Sequence, residues 1–110
     1  MPKPRPETVI ATYRVKKGRE RAFHVLLKGH WPTLRREGLV TPTKSVIYRG
    51  KDDSGAYVYY EIFSWVSAKA VRDAHTNPAI HALWGRFADF VEDRGGRPKW
   101  EFPHVDEVWL

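Results

Sequence analysis

The stretch Tyr57-Val-Tyr-Tyr-Glu-Ile-Phe-Ser-Trp65 decides how the rest of the chain is read. Its β-branched and aromatic residues favour a strand. Alternation sends Tyr57, Tyr59, Glu61, Phe63 and Trp65 to one side and Val58, Tyr60, Ile62 and Ser64 to the other. A sheet with helices on one face and water on the other should be polar at every second position. This strand is apolar on both sides. Covering the second face would stabilise the fold by about 25 cal/mol for each Å² withdrawn from water, and a second copy of the sheet is the simplest cover. A homodimer through the sheet face is therefore expected, with a sheet left open for another partner as the alternative.

Working outward, Gly50-Lys-Asp-Asp-Ser-Gly55 reads as a turn after a strand over residues 44–49, and residues 8–15 read as a first strand. Between them Phe23, Leu26, Leu27, His30, Trp31 and Leu34 recur at helical spacing and form one apolar stripe. Pro32 predicts a kink or a new start near Trp31, and Gly38 a stop. On the other side Ser67 caps a short helix over 68–75. Asn77 and Pro78 then supply the cap and first position of another helix, whose stripe is Ile80, Leu83, Trp84, Phe87 and Val91. After the turn Arg94-Gly-Gly-Arg97, residues 99–105 read as a last strand. The order βαββαβ, with the second helix broken in two, predicts an α+β ferredoxin-like fold: a four-stranded antiparallel sheet with helices on one face. One domain over 8–110 accounts for the length, after a flexible Pro-rich tail over 1–7.

With 42% hydrophobic and 14% aromatic residues the chain can build a core, which a disordered chain could not. No apolar run approaches the roughly 20 residues that cross a bilayer, and the first residues lack the apolar segment of a secretory signal. The absence of cysteine excludes disulfides, thiolate metal sites and a cysteine nucleophile, and fits a cytoplasmic location. Charge is uneven: residues 1–50 carry 12 Lys/Arg and 3 Asp/Glu, whereas residues 51–110 carry 7 and 10. A polyanion partner, an anionic ligand, a solvated basic helix or attraction between copies would each account for that asymmetry.

From Tyr60 the chain reads Tyr-Glu-Ile-Phe-Ser-Trp-Val-Ser-Ala-Lys-Ala-Val-Arg-Asp-Ala-His-Thr-Asn-Pro78. This resembles the antibiotic biosynthesis monooxygenase-like superfamily of dimeric α/β barrels, at Tyr60, Glu61, Phe63, Ala70, His75 and Pro78. The resemblance implies a dimeric barrel with a cavity between each sheet and its helices. It further implies oxygenation or isomerisation without a bound cofactor, or binding of a small ligand without catalysis. The Trp and His of the haem-degrading members have no counterpart at Ala74, His75, Trp84 and Gly85, and the first strand lacks their Asn, so no cofactor is expected. An RNA-recognition module has the same element order, and Gly55-Ala-Tyr-Val-Tyr-Tyr60 has some likeness to its stacking motif. The first strand does not supply the companion motif, so nucleic-acid binding is not expected.

Among side chains that could carry chemistry, His75 is the candidate proton shuttle, because the motif places it at a helix end and imidazole titrates near neutral pH. Capping of that helix end is the alternative. His30 and Trp31 flank the Pro32 break, where a cavity can open. Tyr13, Tyr48 and Tyr60 are strand tyrosines able to aim hydroxyls into such a cavity, and the rim of Trp84 could touch a ligand. The expected ligand is a small, partly aromatic or anionic molecule. His24, His30, His75, His81 and His104 have no tight metal spacing, so no metal is expected.

Overall fold

In the computed structural model, which describes residues 5–110, the tyrosine-rich strand β3 (Tyr57–Trp65) is paired on both sides. It runs antiparallel to β1 (Glu7–Arg14) and to β2 (Val46–Lys51). Two short strands, β4 (Trp100–Glu101) and β5 (His104–Val105), both pair antiparallel with the free side of β1. Helices α1 (Glu20–Lys28) and α2 (His30–Arg36) connect β1 to β2, and α3 (Ala68–Thr76) and α4 (Pro78–Ala88) connect β3 to β4. This is the ferredoxin-like arrangement expected from the element order, with helices on one face of an antiparallel sheet.

Two local features depart from the sequence reading and a third makes it definite. The last strand is not continuous over 99–105. It breaks at Phe102-Pro103 into two pieces, because proline has no N–H for the ladder; the Pro103 carbonyl still accepts from Ile10 N–H at 3.0 Å. The new start expected near Trp31 is found at His30, after a break at Gly29, and Pro32 occupies the first turn of α2, where a missing N–H costs nothing. Glu7, expected in the tail, is the first residue of β1 and pairs with Trp65; residues 1–4 of that tail lie outside the described residues.

The corner between α3 and α4 forms as the sequence predicts. Ser67 Oγ accepts from Ala70 N–H, and Asn77 Oδ1 accepts from the N–H groups of Ala79 and Ile80, with Pro78 at the first helical position. The Asn77 amide also donates to Glu37 at 3.0 Å, tying the corner to the end of α2.

Between sheet and helices, Val9, Ala11, Tyr13, Tyr59, Phe63 and Trp65 meet Phe23, Leu27, Leu34, Ile80, Leu83 and Phe87 in one core. On the opposite face the register aligns Ile10 with Ile62 and Tyr48 with Tyr60. Tyr48 and Tyr60 are 60% and 36% exposed there. The β4 end of that face is closed by Arg14, which donates to the Pro98 carbonyl at 2.6 Å and pairs with Glu101 at 3.2 Å.

Candidate functional site

Alternation along β3 aims Glu61 into the helix-facing layer, between Tyr59 and Phe63, where the carboxyl is entirely out of contact with solvent. Opposite it, the break at Gly29 lets His30 open α2 and drop its ring onto the sheet, 2% exposed. Glu61 Oε1 accepts from His30 Nδ1–H at 2.6 Å and from the Tyr13 hydroxyl at 3.2 Å. On its other side His30 Nε2 accepts from Trp84 Nε1–H at 2.9 Å. Phe63 and Phe87 close over the imidazole edge-on, their centroids 5.7 and 5.1 Å away.

These contacts fix where the protons are. An indole nitrogen only donates, so His30 must present a lone pair at Nε2 and carry its hydrogen on Nδ1. Nδ1–H in turn requires an acceptor, which Glu61 Oε1 supplies. The Tyr13 hydroxyl is the second donor. Burial, reinforced by the Glu61 charge and hydrogen bond, holds Tyr13 well above the ordinary tyrosine value. Glu61 Oε2 has no hydrogen-bond partner among the described residues. A buried carboxyl group with two donors on one oxygen and no partner on the other is an expensive arrangement for a core.

A cavity of about 300 Å³ lies beside this relay. Its walls are Phe63, Trp65, Trp84, Phe87, Trp100 and Phe102, and it also carries three imidazoles, those of His30, His75 and His104. His75, at the last turn of α3, is exposed and also lines the cavity, which puts it at the rim. Its Nδ1–H donates to the Val71 carbonyl at 2.8 Å, leaving Nε2 as the nitrogen free to meet a ligand or water. Its ring meets that of Trp84 edge-on, centroids 5.3 Å apart. His104 lies 3.9 Å from the Glu7 carboxylate. Among the described residues no group of three or more His, Cys, Asp or Glu could hold a metal ion, and no helix is long and apolar enough to cross a membrane.

Of the residues singled out in the sequence, Tyr13, His30, His75 and Trp84 are brought together. Tyr48 and Tyr60 are not. Each is one residue out of phase with the helix-facing positions, so both stand on the opposite face of the sheet. Trp31 follows His30 on a helix, where adjacent residues diverge by about 100°, and it does not line the cavity. Glu61 was legible as a member of the strand and of the motif that carries the resemblance, but not as a site residue. Its alignment with Tyr59 and Phe63 was the available signal, a charged residue among aromatics on a core-facing side.

No protein-family model matches the chain, and no curated protein matches it significantly. Solved structures do. A Bordetella bronchiseptica protein provisionally named an antibiotic biosynthesis monooxygenase superposes with a TM-score of 0.72 at 14% identity, over 94% of this chain and 98% of its own. A similarly named Nitrosomonas europaea protein gives 0.69 at 9% identity, over 99% and 96%. SnoaB of Streptomyces nogalater, a cofactor-independent oxygenase solved in a mutant form, gives 0.65 at 13% identity, over 96% and 95%. At these identities the likeness establishes the fold alone, the ferredoxin-like α+β arrangement expected for the single chain.

Proposed function

We propose that the protein admits a small, partly aromatic molecule to the cavity and removes a proton from it at His30 Nε2, with Glu61 orienting the ring. The ligand's O–H or C–H hydrogen passes to the imidazole and the electron pair stays on the ligand. The resulting anion is then reprotonated at another atom, which is isomerisation, or adds dioxygen at carbon to form a peroxide anion that takes the proton back and loses water to leave a carbonyl, which is oxygenation without a bound cofactor. The observation that carries this reading is the 2.6 Å bond between His30 and Glu61, two of the most buried polar side chains, beside an aromatic cavity. Before the reaction the pair holds an uncompensated negative charge; after it, imidazolium faces carboxylate, which a low-dielectric site favours. That charge also disfavours a preformed anion as ligand. Dimerisation through the open sheet face belongs to the same proposal, as does a role for His75 in passing protons between the rim and water.

The experiment is a thermal-shift screen of small neutral phenols and quinols, with aromatic acids as the disfavoured comparison, followed by oxygen uptake and product analysis for each binder. The expected result is turnover that falls at least tenfold in His30→Gln, a loss of about 1.4 kcal/mol of transition-state stabilisation. His75→Gln should weaken binding or turnover to a similar degree while the melting temperature stays nearly constant. Ligands that bind but are neither oxidised nor isomerised would make the protein a non-catalytic small-ligand binder. Normal binding and turnover in His75→Gln, with a lower melting temperature, would return that residue to helix capping.

A further inference from the structure

Trp84 occupies the nitrogen that the proposed chemistry needs. Its indole ring lies against both His30 and His75, with centroids 6.3 and 5.3 Å away. Its N–H donates to His30 Nε2 at 2.9 Å. As long as that bond stands, the imidazole has no lone pair left to offer, because its other nitrogen is committed to Glu61. Breaking it inside an apolar cavity would strand one donor and one acceptor, unless something takes the place of the indole. The release is one-sided. Tyr13 and Glu61 are sealed in the core, whereas Trp84 is only half-buried at the cavity wall, so the indole is the partner of His30 nearest the surface.

We propose that Trp84 is a specificity latch: a ligand engages His30 only if it carries its own O–H or N–H donor to replace the indole. An aromatic molecule without a donor fills the cavity and leaves the latch closed. A donor-bearing molecule delivers to His30 the hydrogen that the imidazole is placed to accept. The same contact that keeps His30 neutral and correctly oriented in the empty site thus selects what may reach it. This inference rests on the cavity being the ligand site, and does not depend on turnover.

The test compares 2-naphthol with naphthalene, one ring system with and without a donor, on the full chain and on Trp84→Phe. In the unmodified protein, isotope-resolved NMR should show the empty-site His30 protonated at Nδ1 and bare at Nε2. The Trp84 indole N–H signal should move on adding 2-naphthol and stay within a small fraction of that shift on adding naphthalene. In Trp84→Phe the donor-bearing ligand no longer has a hydrogen bond to displace. The ratio of the two affinities should rise about tenfold, equivalent to about 1.4 kcal/mol. Both ligands share any enlargement of the cavity, so the ratio isolates the latch. An unchanged ratio, an indole signal indifferent to 2-naphthol, or an imidazole protonated at Nε2 in the empty site would overturn it, and the NMR arm stands even if the variant fails to fold. Binding of both compounds with an unchanged ratio defeats the latch and leaves the cavity reading intact, whereas binding of neither defeats both.

Discussion

Glu61 is the residue on which stability and chemistry pull apart. Its Oε2 is buried without a partner, so neutralising the side chain without changing its shape removes a desolvated charge. Glu61→Gln should therefore melt at the same temperature or higher while losing at least tenfold in turnover. Glu61→Ala is different, since it leaves the hydrogens of Tyr13 and His30 facing a void. It should cost on the order of 2–5 kcal/mol in urea denaturation, and a loss below about 1 kcal/mol would mean that the relay is not holding the core together. Tyr13 adds a pH dependence whose sign follows from its burial. The folded chain keeps a hydroxyl proton that the unfolded chain releases near the ordinary value of 10.0. The stability contributed by Tyr13 is thus complete below that pH and is lost as pH rises toward the higher folded value. Unfolding free energy should drop between about pH 9 and pH 11, and the drop should be shallower in Tyr13→Phe; parallel curves for the two proteins would exclude Tyr13 as its source.

Among the elements, the two broken helices matter most, because each break delivers a histidine to the cavity. The α3–α4 break was legible in sequence since its instructions are local: Ser67, Asn77 and Pro78 act on backbone groups within a few residues of themselves. Asn77→Ala removes an acceptor for two N–H groups and a donor to Glu37. It should cost about 1 kcal/mol and speed amide exchange at the start of α4; a melting temperature equal to that of the unmodified protein would show the corner to be held by packing alone. The Gly29 break was only partly legible, because Pro32 pointed to a disruption nearby but not to the residue where the helix restarts. The His30–Glu61 bond was not legible at all. It joins residues 31 positions apart in the chain, and neither spacing nor propensity encodes which strand residue a helix terminus will land on. The splitting of the last strand had a visible cause in Pro103 that the apolar run around it obscured.

For the whole molecule, the open face of the sheet is where a second copy should sit. The outward residues are Ile10, Tyr48, Tyr60 and Ile62, whereas Tyr59 and Phe63 face the helices. A charge meant to separate the copies therefore belongs at Ile62 or Tyr60. Analytical ultracentrifugation at micromolar concentration should find twice the chain mass of 12.8 kDa, reverting to the chain mass in Ile62→Glu; an unmodified protein that already sediments as a monomer would refute the dimer. Single-stranded RNA should bind only through scattered basic charge and release as salt rises. Affinity that persists at about 200 mM salt and disappears with Tyr60→Ala would instead make the exposed tyrosines a stacking surface. The β4–β5 edge has a further consequence. Glu61 and Tyr13 sit on the two central strands, the best-protected backbone in the sheet. Trp100, Phe102 and His104, which shape one side of the cavity, come instead from an interrupted edge with two-residue strands. On the proposed function, proton chemistry and ligand fit would thus be carried by separate parts of the chain: substitutions along the edge should reshape the cavity while Tyr13, Glu61 and His30 keep their hydrogen bonds, so the edge is where a new ligand preference would be written.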